Sequence, residues 1–203
     1  MNQDFASNLL SDAVNQFAKL PGIGKKTALR LVLSLIDNEL DVVEKFGNSI
    51  INLKKNIKHC KICNNLSDQD ICPICADISR DHSTICVVEN IKDIIAIEKT
   101  MQYKGVYHVL GGLISPLDGI SPSDIDINGL EKRLLKNDIK EVILALNTTM
   151  EGETTAFYIA KKINKHNVLL SSIARGVGFG DELEYTDEIT LGKAIANRTK
   201  LDI

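Results

Sequence analysis

Four cysteines stand as Cys60-x-x-Cys63, eight intervening residues, then Cys72-x-x-Cys75. Each pair can form a knuckle whose two sulfurs point at one centre, and two knuckles complete a tetrahedron around zinc at about 2.3 Å per thiolate. Four thiolates leave no open coordination position, so one structural zinc per chain is expected. Disulfides are not expected, because the chain shows no secretory start and a cytoplasmic setting keeps thiols reduced. The fifth cysteine, Cys86, lies in an apolar run and reads as core, while His59 and His82 border the cluster without being needed to complete it.

A second set of chemically able residues is acidic: Glu89, which ends the run Ile85-Cys-Val-Val-Glu89, and Glu151 and Glu153 in Asn147-Thr-Thr-Met-Glu-Gly-Glu153. Acids at the carboxyl ends of parallel strands are how oxygen ligands collect around a hard cation such as magnesium. The same acids also suit the first turn of a helix beginning near Glu151, where the helix dipole favours negative charge. On the residues alone both readings stay open.

The third motif is Leu20-Pro-Gly-Ile-Gly-Lys-Lys-Thr-Ala28. Its glycines permit a tight turn, Ile23 can plug between two helices, and the second helix opens with free backbone N–H groups. Such an N-terminus seats a phosphate without reading bases, and Lys25, Lys26 and Arg30 surround it. An ordinary helical hairpin with a Gly turn is the plainer reading; the basic collar favours DNA contact. Gly176-x-Gly178-x-Gly180, by contrast, is followed by Asp181-Glu-Leu-Glu184 rather than a helix-opening phosphate seat, and reads as a flexible turn.

The elements that must position these residues follow from periodicity. Phe5, Leu9, Ala13 and Phe17, flanked by Leu10 and Val14, predict an amphipathic helix over 5–18. Further helices are predicted from about Thr27 to Ile36, and from about Asp41 with Val42, Phe46, Ile50 and Leu53 as a buried stripe. From Ser83 onward β-rich runs (84–88, 106–110, 141–146, 168–173) alternate with helical stretches near 91–101, 129–136, 153–165 and 187–197, the pattern of a parallel sheet covered by helices.

The formal net charge of −3 hides a division. Residues 1–61 carry nine Lys/Arg against six Asp/Glu, and the remainder 15 against 21, so one polyanion-facing side is expected. Apolar runs such as Val142–Leu146 are too short to span a bilayer, and a cytoplasmic location is expected. With no Trp, four Tyr and five Phe, base stacking on aromatic platforms is not the expected mode of holding single strands.

Taken in order, the Leu-Pro-Gly-Ile-Gly turn, the two knuckles and the Val-Val-Glu strand resemble the RecR family of bacterial recombination mediators. The likeness continues through Tyr103-Lys-Gly-Val-Tyr-His-Val-Leu-Gly-Gly112, Ser115-Pro-Leu-Asp-Gly119, Glu151-Gly-Glu153 with Thr155-Ala156, and Leu183-Glu-Tyr185. It implies an α+β multi-domain chain: a helix-hairpin-helix over 1–58, a four-cysteine zinc finger over 59–82, an α/β Toprim domain with a parallel sheet over 83–175, and a C-terminal helical segment over 176–203. It also implies a homo-oligomeric, ring-like assembly, a tetramer among the options, that works with RecO and RecF to load recombinase at single-strand gaps. The family's DNA-contacting Lys and Arg fall on Lys26 and Arg30.

Two departures from the family stand out: Lys25 replaces the usual Pro, and Gly178-Phe-Gly-Asp-Glu182 replaces a Pro-Val-Gly-Gly-Asp run. The rival class is a magnesium-dependent Toprim enzyme (a nuclease, primase or topoisomerase). Aligned on Glu151-Gly-Glu153, the Asp-x-Asp of those enzymes falls on Asn147 and Thr149, neither of which supplies negative charge to a metal. Magnesium and catalysis are therefore not expected, and Glu89, Glu151 and Glu153 are read as a face for a protein partner.

Overall fold

The computed structural model describes residues 7–136 and 138–200, in two compact units, 1–57 and 58–203. Phe5, the first residue of the predicted N-terminal stripe, lies outside the described residues.

The first unit is three helices, α1 (Asn8–Phe17), α2 (Lys25–Ile36) and α3 (Leu40–Asn56). Ser7 caps α1 by accepting from the Leu10 amide. Val14 of α1 buries against Ala28 and Val32 of α2, and Ile23 packs into this cluster, so the turn residue does plug the helix pair. Five expected core positions fail: Leu9 is exposed, and α3 has no buried residue, its stripe Val42, Phe46, Ile50 and Leu53 standing open to solvent. Periodicity reports that a helix has an apolar face but not that this chain covers it.

The second unit begins with the zinc-finger segment: β1 (Lys58–His59) paired antiparallel with β2 (Leu66–Ser67), then the short helix α4 (Pro73–Ala76). There follow β3 (Asp81–Val88), α5 (Ile91–Lys99), β4 (Gly105–Val109), α6 (Ile127–Lys136), β5 (Glu141–Ala145), α7 (Met150–Ile163), β6 (Leu169–Ser172) and α8 (Glu188–Ala196). The sheet order is β4-β3-β5-β6, all parallel. Because parallel strands are buried on both faces, their residues alternate between two cores. Ile85, Val87, Val142 and Leu144 meet Ile127 and Leu130 of α6 and Ile159 and Ile163 of α7, while Cys86, Val88, Tyr107 and Ala145 meet Ile94 of α5. Each fully buried Ile or Leu contributes about 1.5–3 kcal/mol. Burial pushes the Cys86 thiol up to about 12, in keeping with an inert core residue.

β3 starts at Asp81, three residues earlier than the apolar run suggests, because the Asp81 carboxylate accepts from the Ser83 amide and the Ser83 and Thr84 hydroxyls and organises the strand entry. The loop over 111–122 is tied down at Thr155, whose buried hydroxyl accepts from the Ile114 amide at 2.9 Å and donates to the Glu151 carbonyl at 2.6 Å.

Candidate metal centre and nucleic-acid interface

Leu20, Pro21, Gly22 and Ile23 form a β-turn closed by the Ile23 amide on the Leu20 carbonyl at 3.0 Å. Pro21 pre-sets the second position, and Gly22 occupies a left-handed φ of +78° that a side chain would strain. The turn delivers Gly24 as the N-cap of α2, with no side chain capping the helix and no acid in its first turn. The opening amides of α2 therefore lack side-chain acceptors, and exposed Lys25, Lys26 and Arg30 stand beside them.

The four knuckle cysteines are all buried, and their sulfurs lie within 4.8 Å of one another. Sulfurs bound to one tetrahedral zinc at about 2.3 Å are about 3.8 Å apart; Cys63 Sγ and Cys72 Sγ are 3.6 Å apart. In the first knuckle the Asn64 amide donates to the Cys60 carbonyl at 2.9 Å, and a left-handed φ of 62° at Asn64 then turns the chain onward to Asn65. The second uses Cys72 as the N-cap of α4, with Pro73 at the first helical position. Backbone N–H groups donate to sulfur twice, Cys72 to Cys60 Sγ at 3.3 Å and Cys75 to Cys72 Sγ at 3.4 Å, as thiolate ligands require. Hydrogen bonds from Cys63 and Cys75 hold Cys72 far below the ordinary thiol range, while hydrogen bonding to Cys72 and then Cys75 pushes Cys63 up. Four sulfurs packed this closely could all ionise only around a cation, and zinc bound there would supply a folding cross-link. His59 and His82 stay outside the cluster, His59 Nδ1 lying 3.1 Å from the Asn64 carbonyl and His82 Nε2 2.9 Å from the Asp77 carbonyl.

The knuckle is anchored on the sheet. Cys63 accepts at its carbonyl from the Val109 amide at 2.8 Å, and Asn64 Nδ2 donates to the Val109 carbonyl at 3.0 Å. Val109 ends β4, the outermost strand on that side.

Glu89 follows β3, and Glu151 and Glu153 open α7 after β5; since β3 and β5 pair in parallel, all three share the carboxyl end of the sheet. They do not converge as the cysteines do: among the described residues the cysteine set is the only metal-ready cluster. Their surroundings engage them separately. Asn147 Nδ2 donates to Glu89 at 3.1 Å, Thr149 Oγ1 caps α7 by accepting from the Gly152 amide at 3.2 Å, and Arg175 pairs with Glu153. Arg175 is not among the expected site residues. Its one signal in the sequence is position: it follows β6 at the same end of the sheet.

Family models match the chain along its length: the RecR helix-hairpin-helix over residues 10–53, the RecR four-cysteine zinc finger domain over 57–77, the Toprim domain over 83–174, and the RecR C-terminal region over 176–199. The recombination protein RecR of Bacteroides thetaiotaomicron is 61% identical over 199 residues, covering 98% of this chain and 97% of the relative. The chain belongs to the RecR family. The recombination protein RecR of Parabacteroides distasonis is 53% identical over 100% of this chain and 98% of its own. That of Flavobacterium johnsoniae is 49% identical, covering 98% and 97% respectively.

Membership places this RecR chain in DNA recombination and repair, with a DNA-binding helix-hairpin-helix and one structural zinc held by Cys60, Cys63, Cys72 and Cys75. Among the described residues no helix is long and apolar enough to cross a membrane.

Proposed function

We propose that this RecR chain grips the DNA backbone through the N-terminus of α2, with Lys25, Lys26 and Arg30 as phosphate contacts, and acts as a non-catalytic mediator. The observation that carries this is the uncapped, acid-free opening of α2 behind the Pro21-Gly22 turn. Backbone phosphate is the anion such a seat holds, and it is the same in every sequence. RecO and RecF are the proposed partners in loading recombinase at single-strand gaps, with Glu89, Glu151 and Glu153 offered to RecO. Asn147 and Thr149, standing where Toprim enzymes carry acids, support the non-catalytic reading. The apolar stripe left open on α3 supports assembly with further copies of the chain, and the five free cysteines suit a reducing cytoplasm.

Anisotropy titration of a labelled oligonucleotide tests the DNA contact. Lys26→Ala with Arg30→Ala should weaken binding to all sequences alike and flatten the salt dependence by about one counterion per side chain. Parent affinity at low salt in a folded double variant would refute it.

A further inference from the structure

A zinc ion held by four thiolates is a dianion, and a buried dianion needs more than the two N–H···S bonds its own knuckles supply. The neighbouring side chain able to answer it comes from the Toprim part of the chain. Arg133, in α6, is only 8% exposed. Its Nη1 donates to the Tyr107 carbonyl of β4 at 2.6 Å, and its Nε has no partner. No carboxylate is within ion-pair range of it among the described residues. A guanidinium cannot shed its proton, so its charge has to be balanced where it lies.

Arg133 and Cys60 line one cleft, of about 600 Å³, together with Asn64 and Asp126. The knuckle bonds to Val109 and Arg133 bonds to Tyr107, two residues apart on the same strand. The other charges of the cleft are otherwise placed. Asp126 accepts from the Gly129 amide at 3.0 Å, Lys61 pairs with Asp70 at 2.6 Å, and Lys132 and Lys136, which line the same cleft, are exposed, so water already solvates their charge. Burial works against the Arg133 charge, and Cys75, Cys63 and Cys60, followed by Tyr103, work for it.

We propose that Arg133 is the counter-cation of the zinc tetrathiolate, a positioning residue outside the ligand set that ties metal loading to the seating of α6 on the sheet. Each charge is what makes burial of the other tolerable. Without zinc, Arg133 is a buried cation beside thiols that have regained protons. Without Arg133, the cluster keeps its full negative charge in a dry setting, which raises its affinity for protons and loosens its hold on the metal. Because α6 also carries Ile127 and Leu130 into the core, its seating on the sheet responds to zinc.

The test uses the full chain, zinc competition with a chromogenic chelator, and cobalt substitution. Arg133→Met should weaken zinc binding about 10–100-fold, the range for loss of a group supporting a metal ligand. Arg133→Lys, which keeps the charge but not the fork, should retain most of the affinity. In the cobalt-loaded proteins the thiolate-to-cobalt absorption should move to lower energy in Arg133→Met and stay near the parent in Arg133→Lys, a shift that a packing role would not produce. Parent zinc affinity in a folded Arg133→Met protein, or equal losses for Met and Lys, would overturn the proposal. Should Arg133→Met fail to fold, hydrogen exchange on the parent decides. Chelation should lower amide protection in α6 while α7 keeps its own; unchanged α6, or equal loss in both helices, overturns it.

Discussion

Asn147 donates its side-chain amide to the Glu89 carboxylate across 3.1 Å, joining the carboxyl ends of two adjacent parallel strands, β3 and β5. The bond exists because residue 147 is an amide. An aspartate would set two carboxylates against each other, which is tolerable only with a cation between them.

Asn147→Asp with Thr149→Asp should therefore exchange an internal hydrogen bond for a metal requirement. Asp at 149 still caps α7, since Asp and Thr both serve as N-caps. In metal-free buffer the double variant should lose about 0.5–1.5 kcal/mol of stability, the usual net worth of one hydrogen bond where water reaches the freed groups. Millimolar magnesium should restore it, while the parent melts alike with and without the ion. Thermal denaturation in the two buffers checks this.

Arg175 and Glu153 set up a paired test of the partner face. If RecO recognises the acids, Glu151→Ala with Glu153→Ala should weaken its binding about three- to tenfold, a modest charge effect. Arg175→Ala, which unmasks Glu153, should strengthen it. Calorimetric titration at moderate salt reads both, with zinc content as the control for folding. Equal affinities for all three proteins would remove the acids from the interface.

Gly152 separates the two acids of Glu151-Gly-Glu153 for a steric reason. A Cβ built there would overlap the Asn147 carbonyl oxygen. Gly152→Ala must displace the backbone of Asn147 and with it the bond to Glu89, at a cost of about 3 kcal/mol. Urea denaturation should show a lower midpoint with an unchanged slope. A midpoint equal to the parent's would mean the strand end yields freely.

His108 is fully buried on β4, its Nε2 2.6 Å from the Asp126 carbonyl and its Nδ1 without a partner. Burial, with Arg133 nearby, depresses it to about 4 despite the opposing pull of Asp126. The folded state thus binds fewer protons than the unfolded one below the ordinary imidazole value of about 6.5. Stability is unaffected above that value and falls as pH drops from about 6.5 toward 4, by up to on the order of 3 kcal/mol. His108→Gln should flatten the slope of stability between about pH 7.5 and about pH 5.5 in zinc-saturated protein. The parent's slope in the variant would reassign the effect.

What the chain reveals in advance is what depends on near neighbours. The spacing of Cys60, Cys63, Cys72 and Cys75 specifies the knuckles, Pro21-Gly22 specifies the turn, and apolar runs such as Val142-Ile-Leu-Ala145 specify parallel strands. What it conceals is long-range. Val42, Phe46, Ile50 and Leu53 have helical spacing, yet nothing local says whether another surface covers them. Arg133 and Arg175 sit in ordinary polar positions of their own segments, and only the fold brings one beside the zinc ligands and the other onto Glu153.

The seating of the knuckle on β4 has a further meaning. Strand edges are templates for pairing with other chains, and β4 would offer such an edge. The Val109 amide and carbonyl and the Tyr107 carbonyl are instead taken by Cys63, Asn64 and Arg133. The zinc-finger knuckle and α6 thus fill pairing positions that an open edge would present. A knuckle that lost its metal would hold those bonds less firmly, so the integrity of a sheet edge depends on four sulfurs that lie outside the sheet.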